Sequence, residues 1–266
     1  MNRKAVGVFD SGIGGLTVYR SLKERMPLEK VVYLGDTARL PYGTKSAETI
    51  IKFSEENARF LLKKDIKIVV VACNSSSSHA LPQLQNILDI PVIGVIDAGA
   101  QAAVNSSEKK IGVIGTAATI SSGTYERTIL EKKPGVTIVS KACPLFVPLV
   151  EEGWIDHKVT RLVIEEYLLP LKKQGIDTLV LGCTHYPVLK RAIAAVIGKD
   201  ITLIDSGITT AEWVYVILKS LGWLADAGKA RSPEDEFYVT DFPERFRQVG
   251  GIFLKRKIHK VDIADI

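Results

Sequence analysis

The 266 residues carry 35 Lys and Arg against 30 Asp and Glu, a net charge of +5, with 46% hydrophobic and 24% charged residues. That composition fits a globular protein with room for two cores at roughly 100–200 residues each. No apolar stretch nears the ~18 residues that a membrane-spanning helix needs, and Asp10 interrupts the first apolar run before a signal-peptide core can form, so a cytoplasmic protein is expected.

The positive charge is dispersed except at Lys255-Arg256-Lys257 and His259-Lys260. No nucleic-acid motif accompanies this cluster, so it reads as a solvated tail or sheet edge, and neither nucleic acid nor membrane is expected as a partner. Three cysteines, Cys73, Cys143 and Cys183, are an odd number without an export signal, which argues against a disulfide framework. With no Cys-x-x-Cys pair and only four histidines, no metal site is expected.

The first predicted strand, residues 6–9, meets Met1-Asn2-Arg3-Lys4 upstream and ends at Asp10-Ser11-Gly12-Ile13-Gly14-Gly15, which leads into a helix up to Met26-Pro27. The glycine-rich turn offers backbone N–H groups to an anion, or is simply a tight turn with Asp10 as its cap. It is neither Gly-x-Gly-x-x-Gly nor a Walker loop, so no nucleotide is implied. A second strand, residues 31–34, is followed by Gly35-Asp36-Thr37 and the rigid turn Leu40-Pro41-Tyr42-Gly43. The N–H groups of that turn suit a carboxylate, although an ordinary loop has the same composition. Residues 46–64 form an amphipathic helix with Ile50, Ile51, Phe53, Ala58, Leu61 and Leu62 inward.

Val69-Val70-Val71-Ala72-Cys73-Asn74 then reads as a buried parallel strand with a thiol at its C-terminal end, where ligands bind in open α/β sheets. The helix that follows, up to Leu88, opens with Asn74-Ser75-Ser76-Ser77-Ser78-His79. Four hydroxyls and an amide exceed what a cap needs and point to carboxylate or ammonium binding; His79 falls on the surface or in packing. Residues 91–96 are the next strand.

The second half opens with a helix from Ala98 to about Val104. Next come a strand at 111–114, the turn Gly115-Thr116-Ala117-Ala118-Thr119, a helix containing Tyr125, and a strand at 136–139. Cys143 lies beside Pro144 without polar companions and reads as a packed thiol. One of Glu151 and Glu152 points inward. A helix over 159–173 leads to Leu179-Val180-Leu181-Gly182-Cys183-Thr184, a second strand ending in a thiol, with His185-Tyr186-Pro187 after it. His185 is two positions from the thiol with no third ligand evident, which favours proton transfer over metal binding. A helix at 209–221, a strand at 237–239 and a short tail close the chain.

These stretches repeat. The cysteines are offset by 183−73 = 110, the aspartates Asp97 and Asp205 by 108, and the glycines Gly7 and Gly112 by 105. The expected fold is α/β, with two pseudo-symmetric open α/β domains, mainly parallel sheets, and the active site in the cleft between them. Residues 1–97 completed by 208–266 form one domain and residues 98–207 the other, which brings two thiols to one cleft. Two opposed thiols without a cofactor motif suit moving a proton across a stereocentre. A free thiol is only a few per cent ionised at pH 7, so one thiolate and one thiol must be held there, with Asp10 and His185 the nearest groups to assist.

Asp10-Ser11-Gly12-Ile13-Gly14-Gly15, Gly35-Asp36, Pro41-Tyr42-Gly43, Ala72-Cys73-Asn74, the stretch Ile111 to Thr116 and Gly182-Cys183-Thr184-His185-Tyr186-Pro187 together resemble the glutamate racemases of the aspartate/glutamate racemase superfamily. The resemblance implies cofactor-independent interconversion of L- and D-glutamate, supplying D-glutamate for peptidoglycan. It implies Cys73 and Cys183 as the acid/base pair, with Asp10, Glu151 and His185 assisting. Substrate contacts carry over to Asp10, Ser11, Pro41, Tyr42, Gly43, Asn74, Ser75, Thr184 and His185, and the partners expected are the substrate and at most a second copy of the chain in a homodimer. Ser75-Ser76 stand where the family has Thr-Ala, and Ala98 where it has proline. Alternatives are a racemase of aspartate or another acidic amino acid, which His185 disfavours because aspartate enzymes resemble this motif with a glutamate there, and a non-catalytic anion-binding module, which has no use for matched thiols.

Overall fold

The computed structural model describes residues 4–107, 109–225 and 234–266; the predicted approach from Met1 to Arg3 lies outside them. The chain begins with β1 (Ala5–Asp10), α1 (Leu16–Arg25), β2 (Val31–Gly35), a 3-10 turn (Tyr42–Thr44), α2 (Ala47–Leu62), β3 (Ile66–Val71), α3 (Asn74–His79), α4 (Leu81–Ile87) and β4 (Val92–Gly94). Helix α5 (Val95–Ser106) then carries it to β5 (Lys110–Gly115), α6 (Ala117–Ser121), α7 (Thr124–Lys132), β6 (Thr137–Ala142), α8 (Phe146–Glu151), α9 (Lys158–Lys173) and β7 (Thr178–Gly182). After a second 3-10 turn (Tyr186–Leu189) come α10 (Lys190–Ile197) and β8 (Thr202–Asp205), and α11 (Ser206–Ser220) returns the chain to β9 (Glu236–Val239), α12 (Pro243–Leu254) and β10 (Asp262–Ile263).

Two sheets result, ordered β10-β9-β2-β1-β3-β4 and β6-β5-β7-β8, with every pairing parallel. The order β2-β1-β3-β4 recurs as β6-β5-β7-β8, so the internal repeat is a repeat of topology, and the C-terminal strands extend the first sheet only. Helices cover both faces, which is why β1, β2, β3 and β7 are buried along their whole length and read as continuous apolar runs. One apolar core runs through both halves, joining Leu16 and Val18 of α1 to Phe146, Tyr186 and Val214. Each such side chain contributes about 1.5–3 kcal/mol by leaving water. Among the described residues no helix is long and apolar enough to cross a membrane.

Several expected boundaries move. The strand predicted at 91–96 stops at Gly94, and the apolar Val95 and Ile96 begin α5. Asp97 therefore sits in the first turn of a helix, whereas Asp205 ends β8 and caps α11, accepting from Gly207 N at 2.9 Å. The counterpart of Asp205 is Gly94, the residue before α5, at an offset of 205−94 = 111, one residue from that of the cysteines. The helix predicted over 74–88 is two, broken at Ala80, because Pro82 is tolerated only in a first turn. Leu62 points outward, and Ser54, Asn57 and Phe60 share the buried face of α2 instead. The short tail contains α12, with Phe246, Val249 and Phe253 buried. Lys255, Arg256, Lys257, His259 and Lys260 are exposed, with the buried Ile258 between them, and the edge strand β10 follows.

Candidate active site

Both cysteine-bearing strands end at one shared cleft. The first half contributes Ser11 and Gly12 from the turn after β1, the Leu40 to Gly43 turn, and Cys73, Asn74 and Ser75; the second contributes Thr116, Val147, Glu151, Cys183, Thr184 and His185. All the site residues expected from sequence line it except Asp10, which is fully buried behind the wall. There Asp10 Oδ2 accepts from Gly12 N at 3.0 Å and Oδ1 from Thr184 Oγ1 at 3.4 Å, so one carboxyl group touches both halves.

The glycine-rich turn has a use that the sequence did not reveal. A Cβ on Gly14 would lie 2.3 Å from Thr184 Oγ1 and 2.4 Å from His185 Nδ1, so only glycine lets the two halves approach there. Thr17 Oγ1, one helical turn on, donates to the Thr184 carbonyl at 3.0 Å. Across the cleft, Ser75 Oγ meets Thr116 Oγ1 at 3.0 Å and Thr119 Oγ1 at 3.3 Å. Tyr42 spends its hydroxyl behind the wall, donating to Asp36 and accepting from Asn57 Nδ2 at 3.1 Å, which leaves the backbone of its turn to face the cleft.

The two thiols stand in different surroundings. Cys73 caps α3, its Sγ accepting from Ser76 N at 3.5 Å. Burial and the Asp10 carboxyl push its pKa up to about 11, so it is a neutral thiol. Burial likewise raises Asp10, against the pull of His185 and of the turn's N–H groups. Cys183 Sγ lies 3.9 Å from His185 Nδ1, and His185 Nε2 lies 3.0 Å from Glu151 Oε1. Burial alone would lower the His185 pKa, but its bonds to Cys183 and Glu151 outweigh that and raise it to about 10. Glu151, whose burial would raise it, is held below the usual carboxylate range by the same ring. An imidazolium paired to a carboxylate thus stands beside one sulfur, while the other faces a carboxyl group.

Of the two candidate glutamates, Glu151 faces the site, while Glu152 is exposed and pairs with Arg245 at 3.2 Å. Cys143 is absent from the cleft wall, fully buried with Sγ 3.7 Å from the Lys141 carbonyl, and burial raises its pKa to about 12. His79 packs across the halves with Nε2 3.1 Å from the Ala118 carbonyl. Gly12, Leu40, Thr116 and Val147 line the cleft without having been singled out. Thr116 had a signal, since the offset of 105 makes it the counterpart of Ser11 (116−11 = 105); Val147 had none. Among the described residues no group of three His, Cys, Asp or Glu side chains could hold a metal ion.

Paired parallel α/β sheets with one thiol from each at a shared cleft define a class of enzyme that handles protons at carbon. The Asp/Glu/Hydantoin racemase family model matches residues 6–213. The glutamate racemase of Geobacter metallireducens is 48% identical over 264 residues, 97% of this chain and 95% of the relative. Among solved structures, a glutamate racemase from Bacillus anthracis superposes with a TM-score of 0.95 at 40% identity, covering 100% of this chain and 99% of that one. The glutamate racemase from Francisella tularensis, solved with D-glutamate, gives a TM-score of 0.93 at 41% identity, covering 100% and 98%. The chain belongs to the Asp/Glu/Hydantoin racemase family and is an amino-acid racemase, an isomerase.

Proposed function

We propose that the protein interconverts L- and D-glutamate without a cofactor, through two cysteines that each serve one face of the substrate, and so supplies D-glutamate for peptidoglycan in the cytoplasm. The observation that carries this is the meeting of Cys73 and Cys183, from separate sheets, in one cleft rich in hydroxyl and N–H donors. Cys183 acts as thiolate toward L-glutamate: its sulfur takes the α-proton and the C–H electron pair stays on Cα. The neutral Cys73 thiol then protonates Cα from the other face, becoming the thiolate that takes the proton from D-glutamate in the reverse direction. One C–H and one S–H bond break and one of each forms.

His185, held by Glu151, attends Cys183; Asp10 attends Cys73. The substrate's carboxylates and ammonium fall to Ser11, the Pro41-Tyr42-Gly43 turn, Asn74, Ser75, Thr184 and His185, with Asp10, expected as a contact, acting from behind the wall. The D-glutamate bound to the Francisella relative supports this substrate. Residues 1–97 with 208–266 act as one domain against 98–207, and a homodimer is the assembly to look for, with no nucleic acid, membrane or metal involved.

Circular dichroism of L-glutamate incubated with purified protein and no added cofactor tests the reaction; loss of signal for aspartate but not glutamate would reassign the substrate. In deuterated water the newly formed enantiomer is expected to carry solvent deuterium while unreacted starting enantiomer stays protonated at early times. Early label in the starting enantiomer would replace the two-base scheme with a single base.

A further inference from the structure

Asn74 is the first residue of α3, is 3% exposed and lines the cleft. Its Oδ1 accepts a hydrogen bond from the Tyr125 hydroxyl at 2.8 Å. Its Nδ2 is buried with no partner among the described residues. A buried donor left unpaired is unfavourable, and native proteins keep few of them. Nothing in the protein wall supplies an acceptor for Nδ2, and a carboxylate in the cleft would do so through a charge-assisted bond.

The sense of the amide follows from Tyr125. A phenol has one hydrogen to give, and here it goes to Asn74 Oδ1 at 2.8 Å. Turning the amide round would leave the phenolic hydrogen unpaired and present an acceptor to the substrate. Burial, with the charges of Cys183, Asp97 and Asp205 adding to it, keeps Tyr125 protonated and therefore able to donate.

The fold makes room for this ring and its hydroxyl. Tyr125 comes from α7 in the second half, yet its partner Asn74 belongs to the first. A Cβ on Gly182, at the end of β7, would lie 3.0 Å from the tyrosine ring, and one on Gly99, in α5, would lie 3.3 Å from its hydroxyl and 3.3 Å from Ser206 Cβ. Packing alone would be served by phenylalanine.

We propose that Tyr125 is a positioning residue: through its hydroxyl it fixes the Asn74 amide so that Nδ2 donates to a carboxylate of the substrate. The proposal rests on the reading above only for naming that substrate as glutamate. Tyr125→Phe removes one oxygen and keeps the ring, and thermal melting reports that the fold is retained. In ligand-free protein the side-chain amide resonance of Asn74, assigned by its loss in Asn74→Ala, is expected to shift and broaden in Tyr125→Phe; an unchanged resonance overturns the relay whatever the substrate is. In turnover, Tyr125→Phe is expected to raise KM for glutamate about tenfold, as loss of one oriented bond to a charged group does, with kcat within about threefold. Added to Asn74→Ala it should cost nothing more, because both act through one amide. Equal losses in both backgrounds, or a loss confined to kcat, would overturn the proposal, whereas failure of the wild-type enzyme to turn over glutamate would overturn the substrate and leave the relay to the resonance.

Discussion

Gly14→Ala tests whether the approach of the two halves sets the chemistry. The new Cβ would meet Thr184 Oγ1 at 2.3 Å and His185 Nδ1 at 2.4 Å, where ordinary contact begins at 3.4 Å, a shortfall of 3.4−2.3 = 1.1 Å and 3.4−2.4 = 1.0 Å. Neither atom is the free end of a long side chain, since Thr184 is tied to Asp10 and His185 to Glu151. The His185 ring stands 3.9 Å from Cys183 Sγ, near the limit of a hydrogen bond to sulfur, so a displacement of an ångström changes that contact. A misplacement of that size costs about 100-fold in rate, equivalent to about 2.7 kcal/mol of barrier, on top of about 1–3 kcal/mol of stability from overpacking. Circular dichroism of racemisation gives kcat and thermal melting gives stability. Gly251→Ala is the control: it lies in α12 with no neighbour nearer than 3.7 Å, and alanine there should leave rate unchanged and stability level or higher. A Gly14→Ala enzyme with wild-type kcat would refute the reasoning, because the halves could then part without disturbing the site.

Two further outcomes are expected. Cys143→Ala should keep racemisation within about tenfold, a barrier change of at most ~1.4 kcal/mol, while Cys73→Ala and Cys183→Ala each abolish it in the same assay; a deep loss in the first would make Cys143 a third working thiol. The His185 pKa is raised from 6.5 to about 10, so its protonated ring stabilises the fold fully below pH 6.5 and loses that contribution as pH rises toward 10. The gap in melting temperature between wild type and His185→Asn should therefore be widest near pH 6 and narrow by pH 10.5, and a gap independent of pH would show the ring to be neutral.

Much of this was legible because parallel strands covered on both faces announce themselves as apolar runs, and because the chain states the pattern twice. The cysteines and the residues beside them follow strand ends, where the fold places ligands. Misreadings came where local composition and tertiary role diverge. Val95 and Ile96 are strand-forming residues that start a helix once Gly94 has ended the strand, and this mispaired Asp97 with Asp205. In α12 the spacing of Phe246, Val249 and Phe253 is helical, but Gly250 and Gly251 obscured it. The choice between Glu151 and Glu152 depends on which way α8 faces as it ends beside His185, which no neighbour in sequence specifies.

Among the described elements, α5 and α11 are the helices that carry the chain from one sheet to the other, and they pack against each other. Both tethers therefore run along one line. A rotation about that line would part the two cysteine-bearing strand ends while leaving every described strand with its partners.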